Sequence, residues 1–188
     1  MSRSFVLSKS VLAIVVCLTT FYGSQALSDW RGVLSGTRLV GQADFDWYGF
    51  DLYQARFWSA AAAPSLETAF ALELNYRRAI DKESLVETSL KEMQRLNGAP
   101  LDAKRRDEWA ALMRRAFIDV KPGSRITGLY LPGQGCRFYV GEKLSLAVTD
   151  PLFARAFFAI WLDPRTREPD LRNQLLGIQT SSEGRNNQ

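Results

Sequence analysis

The chain has 188 residues, which is enough for one domain to bury a core without disulfides or a structural metal. It contains no histidine, which excludes Ser-His and Cys-His nucleophilic sites, histidine-ligated metals and imidazole acid-base catalysis. The net charge of +4 is weakly basic, and no Lys/Arg block is interleaved with aromatic residues, so a nucleic-acid partner is not expected. We also expect no metal and no cofactor.

The first 26 residues have the three parts of a cleavable signal peptide. Arg3 and Lys9 form a basic front, residues 11–21 form a short apolar run, and Ser24-Gln25-Ala26 is a small-x-small cleavage site. We therefore expect cleavage after Ala26 and a periplasmic or secreted protein, with residues 27–188 as a single domain of net charge +2. No stretch after the signal peptide approaches the roughly 20 apolar residues of a spanning helix, so no transmembrane span is expected in the mature chain.

The two cysteines have different expected fates. Cys17 lies in the apolar run, and lipidation is not expected there because the branched Val16 precedes it. Cys136 is then alone in the mature chain, so no intramolecular disulfide can form. We expect its thiol to be buried.

The first half of the mature chain has the alternating pattern of β-strands. Residues 37–58 predict two or three antiparallel strands, with a turn or bulge at Gly49. Residues 66–78 predict a half-buried strand, because every second residue from Phe70 to Tyr76 is apolar. The same alternation predicts that Arg78 lies on the apolar face where this strand ends.

Two helices are predicted next. Asp81 can cap a helix that runs through Leu96 and leaves through Asn97-Gly98, with a buried face made of Leu85, Ser89, Met93 and Leu96. Asp102 can cap a second helix. Its predicted apolar stripe is Trp109, Leu112, Met113, Ala116 and Phe117, and its five cations should face water for the most part.

The second half of the chain predicts a hairpin, one more strand and two helices. Strands are expected at residues 125–131, 136–140 and 143–148. A helix should begin at Asp150-Pro151 and end near Leu162, before Asp163-Pro164, and it is apolar enough to be mostly covered. A last helix is expected over 168–176, followed by a loose tail at 181–188. The fold class is therefore α+β, an antiparallel sheet with helices packed on one face.

Four blocks resemble the bacterial exported branch of the chalcone isomerase-like family. They are GFDLYQARFW at 49–58, LELNYRRAIDKESL at 72–85, DVKPGSRITGLYLPGQGCRFY at 119–139 and DPLFARAFFAIWLDPRT at 150–166. The resemblance extends from about residue 36 to residue 177. It implies an open-faced β-sandwich in which the cleft between sheet and helices takes a flat or elongated apolar ligand.

The resemblance does not carry over the catalytic residues of the plant isomerases in this family. Those enzymes use an arginine, threonines, and a tyrosine and an asparagine on the first long helix to cyclise chalcone to flavanone. The matching positions here hold Asp81 in place of the tyrosine, Thr88 in place of the asparagine and Ala159 at a late-helix Ser/Thr position. One alternative stays open, a cofactor-independent isomerase or intramolecular lyase in which Arg and Tyr side chains stabilise an enolate or phenolate.

Other members of the family bind fatty acids without catalysis and hold the carboxylate with an arginine and a tyrosine. By this resemblance we expect a non-catalytic binder of a fatty acid, a flavonoid-like molecule or a similar apolar anion. The candidate ligand-binding residues are Arg78, Tyr76, Arg38, Tyr53, Arg125 and Tyr130. Tyr76 and Arg78 are the first pair, because they lie two residues apart and a guanidinium suits a carboxylate. The alternatives are that Arg78 extends into water or pairs with Asp81 or Glu83.

A third alternative is an interaction module in the cell envelope, beside a membrane protein or an electron-transfer partner. Tryptophan is frequent among binding hot spots, so exposed Trp30, Trp47 or Trp58 would be its anchors. We expect at least one of them to lie in the core.

Overall fold

Six antiparallel strands form one sheet, in which each strand pairs with its neighbours in the sequence. The computed structural model describes residues 29–47 and 49–178. Its strands are β1 (Arg38–Trp47), β2 (Phe50–Ser59), β3 (Phe70–Tyr76), β4 (Arg125–Leu131), β5 (Gly135–Val140) and β6 (Lys143–Val148). The predicted signal peptide at 1–26 and the predicted tail at 181–188 lie outside the described residues.

Four helices cover one face of this sheet, which we call the helix face. They are α2 (Lys82–Asn97), α3 (Ala103–Ala116), α4 (Pro151–Leu162) and α5 (Pro169–Leu175). Helix α4 packs against α2 and over β5, α3 lies beside β6, and α5 crosses β1 and β2. The predicted fold class, an antiparallel sheet with helices packed on one face, is confirmed.

The other face, which we call the open face, carries the short helix α1 (Trp30–Val33) and no other helix of the described residues. Trp30 is almost fully buried there and packs against Ala71, Leu129 and Tyr139. This placement agrees with the expectation that at least one tryptophan lies in the core. Trp58 packs against the same cluster, and the side chain of Trp47 lies outside the described part of the structure.

Strand β3 is buried on both faces, so the prediction of a half-buried strand is wrong. Phe70, Leu72, Leu74 and Tyr76 point to the helix face, as the alternation predicts. The opposite side chains are covered too, because Ala71 lies under α1 and Glu73 lies under neighbouring arginines. Because both faces of this central strand are covered, the alternation of apolar and polar residues does not indicate a solvent-exposed side.

Helix α4 begins and ends at the predicted residues because of its caps. The Asp150 carboxylate accepts the amides of Leu152 and Phe153 at 2.9 and 3.0 Å. It also accepts the indole N–H of Trp109 at 3.0 Å, which joins the N-terminus of α4 to α3. Asp163 is the C-cap, immediately before a proline. One side chain therefore fixes both the start of α4 and its position against α3.

The buried face of α2 differs from the predicted one at two positions. Val86 and Leu90 are buried together with Met93 and Leu96, whereas Leu85 and Ser89 are only partly covered. The centre of the face is turned by about 50°, half of the 100° between successive helical residues, because Met93 and Leu96 belong to both faces. Val86, Leu90 and Met93 form a continuous apolar row that a serine would interrupt.

Two further expectations can be compared with the described residues. Cys136 is free and buried, as predicted, and burial raises the pKa of its thiol above the ordinary value. No helix within 29–47 and 49–178 is both long and apolar enough to span a bilayer.

Candidate ligand-binding cavity

A small apolar cavity lies between α4 and the centre of the sheet. Its floor is formed by Leu72, Leu74, Ile126, Gly128 and Phe138, and its roof by Phe157, Phe158 and Trp161. Its volume is about 20 Å³, which is room for about one water molecule. Sites for small organic ligands occupy roughly 300–1,000 Å³, so the cavity is closed in this structure.

Phe158 is the side chain that closes the cavity over β4. A Cβ built on Gly128 would lie 2.7 Å from Cζ of Phe158, so the ring rests directly on the backbone of the strand. The ring also meets Phe70 and Tyr130, at centroid distances of 5.2 and 5.3 Å. Glycine at 128 is therefore required by the close approach of this ring.

Two tyrosines lie next to residues that line one end of the cavity. Tyr53 and Tyr76 face each other across β2 and β3, with their ring centroids 5.8 Å apart, and Tyr76 follows Leu74 on the same face. Trp161, which lines the cavity, donates its indole N–H to the Tyr53 hydroxyl oxygen at 3.1 Å. The cavity and the two phenols are thus adjacent.

The two phenols are neutral hydrogen-bonding groups. Burial raises the pKa of both Tyr53 and Tyr76 well above the ordinary tyrosine value. Tyr76 is almost fully buried and Tyr53 partly so. Among the described residues, the Tyr76 hydroxyl has no hydrogen-bond partner, and the Tyr53 hydroxyl proton is free to be donated. Both groups can donate to an oxygen placed at this end of the cavity.

Arg78 does not lie beside Tyr76 on the apolar face, so that part of the prediction is wrong. Strand β3 ends at Tyr76, and the alternation of side chains ends with it. Arg78 is exposed, and its guanidinium carbon lies 4.8 Å from the ring centroid of Phe50, which is itself 54% exposed. Its role in ligand binding stays a prediction, and its position favours the solvated alternative.

The other two predicted arginines lie away from the cavity. Arg38 is exposed, and its Nη1 donates to the carbonyl oxygen of Ala61 at 3.3 Å. Arg125 lies on the open face, where its Nε is 3.8 Å from Glu73 and its Nη2 is 3.7 Å from Glu142. The sheet therefore separates Arg125 from the tyrosine end of the cavity.

Tyr130 is close to the cavity, but its hydroxyl is already bonded. Its ring stacks on Phe70 at 4.9 Å in the core of the helix face. Its hydroxyl donates to the carbonyl oxygen of Leu66 at 2.9 Å. Of the six predicted residues, the structure brings Tyr53 and Tyr76 together and places Tyr130 behind Phe158.

A groove of about 450 Å³ lies at the C-terminal end of α2, between Lys91 and Pro100. It is shallow, and Lys91 and Arg95 stand at its edge. It is open to solvent rather than enclosed, and half of its lining residues are polar or charged. We therefore consider the space under α4 to be the candidate site.

Residues 33–177 match the sequence model of a family described as "Chalcone isomerase-like". The chain belongs to the chalcone isomerase-like family. Among solved structures, this chalcone isomerase-like protein is similar to a fatty-acid binding protein of Arabidopsis thaliana, with a TM-score of 0.58 and 11% sequence identity. The likeness covers 76% of this chain and 87% of the plant protein, and at this identity it shows the fold alone. No curated protein sequence matches the chain.

The three positions that the resemblance assigns to isomerase catalysis are placed as follows in this chalcone isomerase-like protein. The Asp81 carboxylate caps α2 by accepting the Ser84 amide and hydroxyl at 2.8 and 2.7 Å, which holds its pKa below the ordinary value. Thr88 is exposed on α2. Ala159 is buried on α4 without a hydroxyl. None of the three borders the cavity.

Two residues of interest were not identified from the sequence. Trp161 is not among the six candidate residues, although it lies four residues after Phe157 and carries a donor that a buried indole must satisfy. Glu73 lies between the apolar positions of β3, on the side that a half-buried strand would turn to solvent, and yet it is 2% exposed. Its signal was a single acid within the run FALEL, whose other members are all apolar.

Proposed function

We propose that this protein is a non-catalytic binder of a fatty acid or a similar apolar anion, held in the space between α4 and the sheet. The observation that carries the proposal is the apolar cavity whose lining residues Trp161 and Leu74 adjoin Tyr53 and Tyr76. The family and the fold shared with a plant fatty-acid binding protein support it. The chain of the ligand would lie against the apolar walls and its head group at the phenols.

The head group is assigned to the tyrosines because their hydroxyl protons are available to donate hydrogen bonds. A carboxylate cannot be left unpaired in an apolar site without a large free-energy cost. The hydroxyls of Tyr53 and Tyr76 stay protonated and can each donate to one carboxylate oxygen. Because Tyr53 is partly exposed, the head group at this end also keeps contact with water.

Binding requires the roof of the cavity to move. The present volume of about 20 Å³ does not admit a long chain. Phe157, Phe158 and Trp161 are the side chains that would leave their positions, and the backbone of α4 is held at its N-terminus by Asp150. In this proposal, α4 stays docked and its aromatic side chains open the site.

The test is titration of a delipidated sample with palmitate, followed by calorimetry. Tyr76→Phe should weaken palmitate binding by about tenfold or more, because a hydrogen bond to a charged acceptor contributes about 1.5–3 kcal/mol. Tyr130→Phe is the matched control, since it removes a buried hydroxyl of the same sheet face that is bonded to Leu66. That control should keep the affinity of the wild type.

The proposal fails if the wild type binds nothing. Native mass spectrometry after mild extraction should find a co-purified lipid, and long-chain acids should raise the melting temperature. The absence of both a co-purified lipid and a shift in melting temperature would refute the proposal. Equal loss of affinity in Tyr76→Phe and Tyr130→Phe would retain a binder but remove the tyrosine end as the head-group site.

Export from the cytoplasm is part of the proposal and rests on residues 1–26. A periplasmic or secreted protein cleaved after Ala26 would begin at Leu27. N-terminal sequencing of the protein from a periplasmic extract measures this directly. A mature chain that still begins at Met1 would contradict the export proposal without affecting the binding site.

A further inference from the structure

The open face of the sheet carries a buried acid surrounded by three arginines. Glu73 is 2% exposed in the middle of β3. Arg31 of α1, Arg56 of β2 and Arg125 of β4 each place a guanidinium nitrogen near its carboxylate, at 3.9, 3.7 and 3.8 Å. These distances are longer than hydrogen bonds, so the three guanidinium groups surround the carboxylate without being bonded to it.

Polar atoms without hydrogen-bond partners are concentrated in the same place. Six buried side-chain atoms of the described residues lack such a partner, and four of them lie on the open face. They are Trp58 Nε1, Glu73 Oε2, Arg125 Nε and Thr127 Oγ1. Thr127 is fully buried and directly opposite Glu73 in the register of β3 and β4. Three of these four atoms carry a proton, so the cluster contains three hydrogen-bond donors without an acceptor.

The charges in this cluster are unequal. Three guanidinium groups lie within 4 Å of a single carboxylate, that of Glu73. Two outer acids also approach: Asp29 is 3.4 Å from Arg31, and Glu142, which is largely exposed, is 3.7 Å from Arg125. Solvent weakens these outer pairs.

Arg56 has Glu73 as its sole acidic neighbour among the described residues, and its Nε donates to the neutral Gln54. At the centre of the cluster three guanidinium groups therefore share one carboxylate, and among these arginines the other two acids contact only Arg31 and Arg125.

We propose that this cluster binds a small oxyanion, a phosphate or carboxylate group. Guanidinium groups match the oxygens of such groups in geometry and charge. The arginine side chains are 31–42% exposed, so an ion can reach them from solvent. Arg31 is held in place by stacking on Trp30, with its guanidinium carbon 4.3 Å from the ring centroid. The site lies across the sheet from the cavity under α4 and does not depend on it.

The experiment measures the melting temperature of the wild type against sodium phosphate, sodium acetate and sodium chloride at equal ionic strength and pH 7. A saturable rise with phosphate or acetate, beyond that with chloride, is expected, and the two oxyanion arms tell which group is preferred. Equal effects of all three salts would overturn the proposal, because screening alone would then explain them.

Four variants locate the site. Arg56→Gln should weaken oxyanion binding at least tenfold. Arg114→Gln is the control and should leave oxyanion binding unchanged, because Arg114 is an exposed arginine of α3 that pairs with Glu83. Thr127→Val should weaken binding about threefold or more without lowering the melting temperature of the ion-free protein, since it removes a hydroxyl that has no partner.

Glu73→Gln should strengthen binding at least tenfold, because it removes the one carboxylate at the centre. Should Glu73→Gln fail to fold, Arg56→Gln and Thr127→Val decide. Equal affinities of Arg56→Gln and Arg114→Gln, or of Thr127→Val and the wild type, would overturn the proposal.

Discussion

Phe158→Ala tests whether the aromatic roof of α4 is what limits the size of the binding site. The ring is fully buried and lies on Gly128. Replacement of a buried phenylalanine by alanine costs about 3–5 kcal/mol of unfolding free energy. Loss of apolar burial accounts for about 2–3 kcal/mol of this. The remainder of about 1–2 kcal/mol, at about 24 cal/mol per Å³, corresponds to a cavity enlarged by about 40–80 Å³.

Two opposite effects are expected from this single change. The melting temperature should fall by about 6–20 °C, since 1 kcal/mol corresponds to about 2–4 °C in a domain of this size. The affinity for palmitate should rise by about tenfold or more, because about 1.4 kcal/mol or more of ring packing no longer has to be given up on binding. Thermal unfolding and calorimetric titration measure the two effects separately.

Phe153→Ala is the matched control for this experiment. Phe153 is equally buried on the same helix, but it packs against Trp109 and Phe138 and does not line the cavity. It should lose similar stability without a gain in palmitate affinity. If both variants gained affinity equally, or if Phe158→Ala bound palmitate no more tightly than the wild type, the idea of an aromatic roof over the site would be refuted.

Three further predictions follow from the same structure. Arg78→Ala should change the palmitate affinity by less than about twofold in calorimetric titration. It should lower the unfolding free energy by about 0.5–1 kcal/mol at most, the usual range for an exposed cation–π contact. A tenfold loss of affinity would restore Arg78 as the anchor. Burial raises the pKa of Tyr76 in the folded state above the unfolded value of about 10. The contribution of Tyr76 to the unfolding free energy is therefore complete below about pH 10 and is lost as the pH rises above that value. Urea denaturation from pH 8 to 11 should therefore show a shallower alkaline loss in Tyr76→Phe, and identical slopes would contradict this. Asp150→Ala should lower the unfolding free energy by about 2–4 kcal/mol, because the helix loses its cap and the indole N–H of Trp109 loses its acceptor. A loss below about 1 kcal/mol in chemical denaturation would show that neither hydrogen bond matters.

Much of the secondary structure is encoded in short stretches of sequence, and those parts could be predicted. Asp81, Asp102 and Asp150 each accept amides from the first turn of the helix that follows, and such capping depends on residues within one turn. Gly49 has a φ of 78° between β1 and β2, a conformation that glycine adopts without strain. These signals act over two to four residues, so the sequence displays them directly.

The site was less predictable because its contacts join distant parts of the chain. Trp161 and Tyr53 are 108 residues apart, and no local pattern indicates that an indole at the end of α4 reaches a phenol of β2. Glu73 is covered by arginines from three different elements, so burial of the acid depends on assembly of the whole sheet. The end of β3 at Tyr76 moved Arg78 away from the apolar face, and strand ends are decided by pairing partners rather than by alternation.

The contact between the last helix and the first strand has a consequence for the order of assembly. Helix α5 lies across β1 so closely that a side chain at Gly41 would collide with the carbonyl oxygens of Gln174 and Leu175. The helix face of β1, which includes Ala43, therefore stays uncovered until α5 has been synthesised. A ribosome-bound chain that ends before Pro169 would present an edge strand with an uncovered apolar side, the feature that favours pairing with other chains. Completion of the fold therefore requires α5 to be present and packed on β1.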